Sequence, residues 1–361
     1  MMKSLSKQSL WQRLQAGGLV EGDAPAVEGA ESPWFVRVML GVSGWIGSLF
    51  LLGFVGAGFA FVMENAIAAL VTGAMVSGGA YAIFKAKQDS DFFTQFGLAV
   101  GLAGQIMLLI GLFELFEDNE PLVYGATFVI EAFLALVIPN FIYRVLSSLG
   151  AALALTFALH SAGIYDLAPG LIAAGFALVW MQEVRWVRFN NICHPVGYGL
   201  VLSLLYYKAG IFWGRWIWWS RSAGPNWISQ NAPWLGKALV LIVFLVVVLV
   251  ILKRMQIAFV SRSGIAALAA TALAMVASFM APGLGQALLI LVIGYAVCNR
   301  MLIGIGLLAC GGFLSNYYYL MESTLLTKSM ILIGLGTALL IGRLVVRIWL
   351  PSRLTGGQVD A

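Results

Sequence analysis

The sequence predicts an all-α polytopic membrane protein with about twelve transmembrane helices. Of the 361 residues, 61% are hydrophobic and only 10% are charged, whereas a soluble domain carries about 25% charged residues. Apolar stretches recur along the chain, and most are long enough to cross a hydrocarbon core about 30 Å thick. Because backbone polar groups in lipid must be satisfied within the segment, continuous apolar stretches of this length are expected to be helices.

Twelve segments are expected to span the membrane, and together they make residues 34–350 a transmembrane helical domain. Residues 1–33 are interpreted as a cytoplasmic amphipathic helix and an acidic linker, and residues 351–361 as a cytoplasmic tail. The twelve spans are 38–62, 66–84, 92–116, 121–139, 141–161, 166–182, 193–212, 234–252, 263–281, 283–299, 302–320 and 329–349.

The basic residues predict the orientation of these spans. With a cytoplasmic N-terminus, sixteen of the 21 Lys and Arg residues fall in cytoplasmic segments and five fall outside. Lys and Arg are concentrated on the cytoplasmic side of membrane proteins. The distribution therefore favours an even number of spans and places both termini in the cytoplasm.

Three short similarities recur in the same order and suggest an internal repeat. They pair residues 141–144 (FIYR) with 259–262 (FVSR), 168–171 (APGL) with 281–284 (APGL), and 197–200 (GYGL) with 304–307 (GIGL). An even number of helices in each unit would give both copies the same orientation. The pattern predicts parallel repeats of four helices, in which the helices of 141–252 superpose on those of 263–349.

Glu131 and Gln105 form the candidate intramembrane polar pair. Glu131 is the single carboxylate deep within a predicted span, and an acid there costs about 2.5–3.5 kcal/mol on insertion scales. At 1.5 Å per residue, both side chains lie roughly 12–15 Å from the outer edge of the membrane. Two interpretations are open: a protonated Glu131 that clamps two helices through Gln105, or a proton or cation carrier in a transport path.

The outer segment 209–234 contains half of the twelve tryptophans and two arginines. Trp and Arg suit the headgroup layer, and they are also enriched at binding hot spots. The segment is therefore either a helix lying along the interface or a docking surface for a partner or lipid. The residues concerned are Trp213, Arg215, Trp216, Trp218, Trp219, Arg221, Trp227 and Trp234.

A second outer-face candidate is the turn that follows the span 302–320. Interfacial tyrosines are expected at such a position, and an acid and a base across the turn could form an ion pair. The residues are Asn316, Tyr317, Tyr318, Tyr319, Glu322 and Lys328.

Several function classes are disfavoured by what the sequence contains. It carries no zinc-protease, serine-hydrolase or phosphate-loop motif, so we expect no catalytic residue, metal or cofactor. Its basic residues are distributed as membrane loops require, so we do not expect nucleic-acid binding.

The chain resembles the bacterial domain-of-unknown-function 4401 membrane proteins. The resemblance is carried by residues 10–25 (LWQRLQAGGLVEGDAP), 32–54 (SPWFVRVMLGVSGWIGSLFLLGF) and 315–329 (SNYYYLMESTLLTKS). It implies a bacterial cytoplasmic (inner) membrane protein with no established activity. Members typically stand beside a gene for a GDYXXLXY-family membrane protein, which implies a shared assembly.

We therefore expect a non-enzymatic subunit of an envelope membrane complex, embedded in the lipid bilayer and bound to a membrane-protein partner. The alternative is a secondary transporter or lipid-handling protein that uses Glu131.

Overall fold

The structure, a computed structural model, is all-helical throughout the part of the chain that it describes. The continuous described ranges are 65–86, 91–117, 119–182, 189–209, 227–280 and 283–320, with isolated positions near both ends. The predicted terminal segments 1–33 and 351–361, and the predicted spans 38–62 and 329–349, lie wholly or largely outside these ranges.

Ten α-helices occupy the described ranges, and they coincide with ten of the twelve predicted spans. A single turn of 3-10 helix, Tyr165–Leu167, precedes the fifth. The helices are α1 (Ala66–Ala86), α2 (Asp91–Phe116), α3 (Glu120–Val137), α4 (Phe141–Ser161), α5 (Ala168–Met181), α6 (Asn190–Ala209), α7 (Trp227–Arg254), α8 (Arg262–Met280), α9 (Leu284–Ala296) and α10 (Arg300–Leu320).

Six of these helices are long and apolar enough to cross a membrane: α1, α2, α3, α4, α7 and α10. The apolar helices Tyr165–Met181, Arg262–Ser278 and Leu284–Ala296 are shorter. The chain is thus a helical membrane protein. Twelve spans, cytoplasmic termini and the four-helix repeat stay predictions, although α5 and α9, at 14 and 13 residues, are both short at the equivalent repeat positions.

Asparagine caps fix where two neighbouring helices begin. The Asn119 side chain accepts a hydrogen bond from the backbone N–H of Leu122, with Pro121 in the first turn of α3. Asn140 accepts one from the N–H of Tyr143 at 2.9 Å, as expected of N-cap residues. Only residues 138–140 separate α3 from α4, and so short a connection makes the two helices antiparallel neighbours.

Among the residues that the structure describes, the apolar core forms two clusters. One is built from α1 to α4, with Phe84 and Tyr143 at its centre, and the other surrounds Phe176 and Trp180 of α5. Helices α1 and α2 approach to backbone contact, because a Cβ on Gly73 would lie 2.8 Å from the backbone nitrogen of Leu108. Such small-residue contacts are how membrane helices pack closely.

Candidate functional site

The structure brings Gln105 of α2, Glu131 of α3 and Ser147 of α4 into direct contact. The Gln105 amide nitrogen Nε2 donates to the Glu131 oxygen Oε2 at 2.9 Å and to the hydroxyl Oγ of Ser147. Glu131 and Gln105 are only 6% and 7% exposed, and Ser147 is fully enclosed. We call these three residues the Glu131 cluster.

The helix connection places the members of the cluster at one level. Glu131 precedes the 138–140 turn by seven residues and Ser147 follows it by seven, so two antiparallel helices bring them side by side. Gly150, one turn beyond Ser147, leaves room for the carboxyl group, because a Cβ there would lie 3.2 Å from the Glu131 Cδ atom. The carboxyl group therefore rests directly against α4.

Tyr143 extends the polar contacts between helices. Its hydroxyl donates to the backbone oxygen of Gly101 on α2 at 3.4 Å, and its ring occupies the space that a Cβ on Gly101 would need. The next glycine on α2, Gly104, lies against Ser77 of α1. All four helices α1–α4 thus meet around the cluster through small or polar side chains.

The contacts of the cluster are typical of a structural link between helices. Gln105, which donates to Glu131, is neutral, and no Lys, Arg or His side chain among the described residues hydrogen-bonds to this carboxyl group. An amide–carboxyl bond across two helices satisfies polar groups that would each be costly to leave unsatisfied in hydrocarbon. One donor group, Gln105 Nε2, holds three helices at a common depth.

Ser147 was not predicted as a member of this cluster. A serine is common in transmembrane helices, and the rotation of each helix about its axis cannot be read from hydropathy. The spacing of the two residues around the predicted turn was the one available signal.

The outer-face tryptophans are only partly described. Trp213, Arg215, Trp216, Trp218, Trp219 and Arg221 lie outside the described residues. Trp227 and Trp234 lie in the first two turns of α7 and are 69% and 66% exposed, and the Lys237 Nζ atom lies 5.4 Å from the centre of the Trp234 ring. An exposed Trp beside a Lys suits either interpretation of this segment.

The second outer-face candidate, the turn after α10, is also only partly described by the structure. Asn316, Tyr317, Tyr318 and Tyr319 form the last turns of α10, and Tyr319 is strongly exposed. Glu322 and Lys328 lie outside the described residues, so their pairing stays a prediction.

A cavity of about 840 Å³ lies at one end of the helices, and its described lining includes none of the three residues of the Glu131 cluster. Its buried cation is Arg144, whose Nη1 atom donates to the backbone oxygen of Asn191 at 2.7 Å and whose Nη2 atom donates to that of Leu136 at 3.4 Å. Arg144 was predicted as a cytoplasmic basic residue and as part of the repeat element 141–144, and not as a site residue, because nothing in a single sequence shows which helix ends converge. We call this cavity the Arg144 pocket. It is lined by Phe84, Thr94, Pro139, Asn140, Phe141, Arg144, Phe189, Asn190, Asn191, Ile192, His194 and Pro195.

Comparison with known proteins assigns the chain to a family and gives no further relative. No curated protein and no solved structure matches it. The model of the family described as "Domain of unknown function (DUF4401)" matches residues 33–347, which is most of the chain. The chain therefore belongs to the DUF4401 family.

Proposed function

We propose that this protein is a non-enzymatic subunit of a membrane complex in the bacterial inner membrane. The observation that carries the proposal is an open glycine face on α10. Only 17% of the membrane-spanning stretch of α10 is buried, the lowest share among the six spanning helices. A further helix could pack on this face.

The inward side of α10 shows what glycines do in this protein. A Cβ on Gly306 would lie 2.9 Å from the Cα atom of Leu291 on α9, and one on Gly294 would lie 2.8 Å from the Cβ atom of Leu302. Each glycine thus marks a close helix–helix contact. Small residues at such positions let helix backbones approach.

The other side of α10 carries glycines with no such contact. Among the residues that the structure describes, a Cβ on Gly304 or Gly311 would meet nothing within 4 Å. The two residues are seven apart and so share a helix face, and Leu308 between them is 79% exposed. We infer that this face receives a helix of a partner subunit, with Tyr317–Tyr319 and the tryptophans of 213–234 adding contacts at the outer interface. The partner suggested by family resemblance is the GDYXXLXY-family protein.

The test is extraction of the tagged protein at native level in a gentle detergent, followed by mass spectrometry of proteins that co-elute in stoichiometric amount. We expect one membrane partner at constant ratio, lost in the double variant Gly304→Leu/Gly311→Leu. Gly125→Leu is the matched control, because a Cβ on Gly125 of α3 also meets nothing within 4 Å. A homogeneous protein without a partner refutes the proposal.

The predicted span 329–349 of this chain is the other possible occupant of the same face. In that case the double variant would lower the stability of the isolated protein rather than release a partner. A protease-protection or unfolding measurement on the purified variant separates the two occupants, and a stability loss without partner loss counts against the subunit proposal.

A transporter or lipid-handling protein is the second candidate, favoured by the burial of the Glu131 carboxyl group among transmembrane helices. A carrier would require Glu131 to gain and lose a proton or cation during each cycle. Substrate flux that depends on pH and is abolished by Glu131→Gln would support it. Unchanged cellular activity of a fully assembled Glu131→Gln variant would exclude it.

A further inference from the structure

We propose that the Arg144 pocket binds a phosphate-bearing ligand, with the anionic group at Arg144 and an apolar portion against the aromatic wall. The cavity, about 840 Å³, lies within the usual range for ligand sites, roughly 300–1,000 Å³. Its lining is half apolar, with three phenylalanines, and half polar. That mixture suits an amphiphile better than a fully hydrated ion.

Arg144 provides the anion-binding group. The residue is only 9% exposed, and no carboxylate among the described residues forms an ion pair with it. Its Nη1 and Nη2 atoms each use one N–H on a backbone oxygen, which leaves a second N–H on each. Within the described residues this charge is compensated only by carbonyl groups, an arrangement that is costly, and a phosphate would accept the remaining N–H groups in the forked geometry that Arg favours.

The ends of four helices surround this guanidinium group. Phe84 lies in the last turn of α1, Thr94 in the first turn of α2, Arg144 in the first turn of α4, and Asn190 begins α6. A helix N-terminus favours a nearby anion through its free N–H groups and its dipole. Asn190 also has a buried Oδ1 atom without a hydrogen-bond partner, which could accept from a hydroxyl group on the ligand.

The depth of the pocket matches that of a lipid headgroup. Helix α4 has 21 residues, a length of about 31 Å at 1.5 Å per residue, which is close to the thickness of the hydrocarbon core. Arg144 is its fourth residue, so the guanidinium group lies near the boundary between hydrocarbon and headgroups. A phospholipid could place its phosphate there and its upper acyl chain against Phe84 and Phe141. A soluble phosphate ester has the same anionic chemistry and is the other source that the test must distinguish.

The experiment titrates phosphatidylglycerol into the purified full-length protein in detergent and measures bound lipid by native mass spectrometry. We expect one saturable site, weakened at least tenfold in Arg144→Gln, which corresponds to about 1.4 kcal/mol. Arg300→Gln is the matched control, since Arg300 is an exposed arginine in the first turn of α10. The affinity of this variant for phosphatidylglycerol should differ less than twofold from that of the wild type. Because Arg144→Gln could disturb folding, Ile192→Trp provides a second variant that fills the pocket and leaves Arg144 in place. It too should weaken binding at least tenfold.

Glycerol 3-phosphate is the soluble probe and is tested by calorimetry and by competition. Failure to displace phosphatidylglycerol supports a lipid ligand. If glycerol 3-phosphate binds with the same dependence on Arg144 and displaces the lipid, the phosphate site is supported. The proposal that a lipid occupies the site is then wrong. If neither probe saturates, or if Arg144→Gln and Ile192→Trp bind as the wild type does, the proposal is wrong.

Discussion

The Glu131 cluster makes a quantitative prediction about helix–helix stability. Replacing Gln105 by Leu removes the hydrogen bonds from Nε2 to Glu131 and to Ser147. Hydrogen bonds between membrane helices contribute about 0.6 kcal/mol each on average, so their loss accounts for about 1.2 kcal/mol. The Glu131 carboxyl group would then stay buried without this donor, which costs about 1–3 kcal/mol more. We expect Gln105→Leu to lower the free energy of unfolding by about 2–4 kcal/mol.

The double variant Gln105→Leu/Glu131→Leu separates this interaction from simple packing changes. It removes both polar partners, and replacing both by apolar groups of similar size is nearly neutral. We therefore expect it to regain most of the stability that Gln105→Leu loses, with a coupling energy of about 1–3 kcal/mol. The assay is reversible unfolding of the purified protein by titration of a denaturing detergent into mild micelles, followed by circular dichroism.

Ser203→Ala is the control for this cycle. Ser203 is also a buried hydroxyl, but its Oγ atom donates to the backbone oxygen of Leu200 within its own helix, at 2.8 Å. Its removal should change stability by less than about 1 kcal/mol and should add independently to Gln105→Leu. If the losses from Gln105→Leu and Glu131→Leu are simply additive, the clamp interpretation is refuted.

Two further predictions concern the same helices and the outer face. Gly150→Val should destabilise the protein by about 1–3 kcal/mol, because a Cβ there would lie 3.2 Å from the Glu131 carboxyl carbon. The same unfolding assay measures this loss. A neutral result would mean that the carboxyl group does not rest on α4. Trp216→Ala/Trp219→Ala should release the partner while membrane insertion stays intact, as measured by co-purification and carbonate extraction. Retained co-purification would rule out docking through this segment.

Helix positions were predictable because apolar length is a strong signal. Ten predicted spans coincide with helices, and even the short α5 falls within its expected segment, 166–182. Boundaries differ where polar residues continue a helix beyond the apolar stretch. Helix α7 begins at Trp227 rather than 234, since its first turns contain Ser, Gln and Asn residues that hydropathy assigns to a loop.

Only the depth of the candidate-site residues in the membrane could be predicted from the sequence. Depth can be counted from the ends of a span, so Glu131 and Gln105 could be placed at one level. Which side of each helix faces a neighbour cannot be counted in the same way, so Ser147 was missed. The Arg144 pocket was missed for a second reason: it requires the ends of four helices to converge, and that convergence depends on tertiary packing.

The separation of Glu131 from Arg144 argues that the two sites have different roles. Arg144 lies one turn from Ser147 on the same helix, so an ion pair between the acid and the base would have been an obvious way to bury both. Instead the acid accepts a hydrogen bond from the neutral Gln105 side chain deep in the bundle, and the base donates to the backbone oxygens of Leu136 and Asn191 at the helix ends. Leu136 lies five residues beyond Glu131, about 7.5 Å along the helix axis.

Because the two sites share no hydrogen-bond partner, we expect them to contribute independently. We therefore expect Glu131→Gln to leave phosphatidylglycerol affinity within twofold of the wild type. Arg144→Gln should in turn leave the coupling energy between Gln105 and Glu131 unchanged. The lipid titration tests the first expectation, and the unfolding cycle tests the second. A tenfold loss of lipid affinity in Glu131→Gln would show that the two sites are coupled. That result would favour the transporter over the subunit, because a carrier must couple its acid to its ligand.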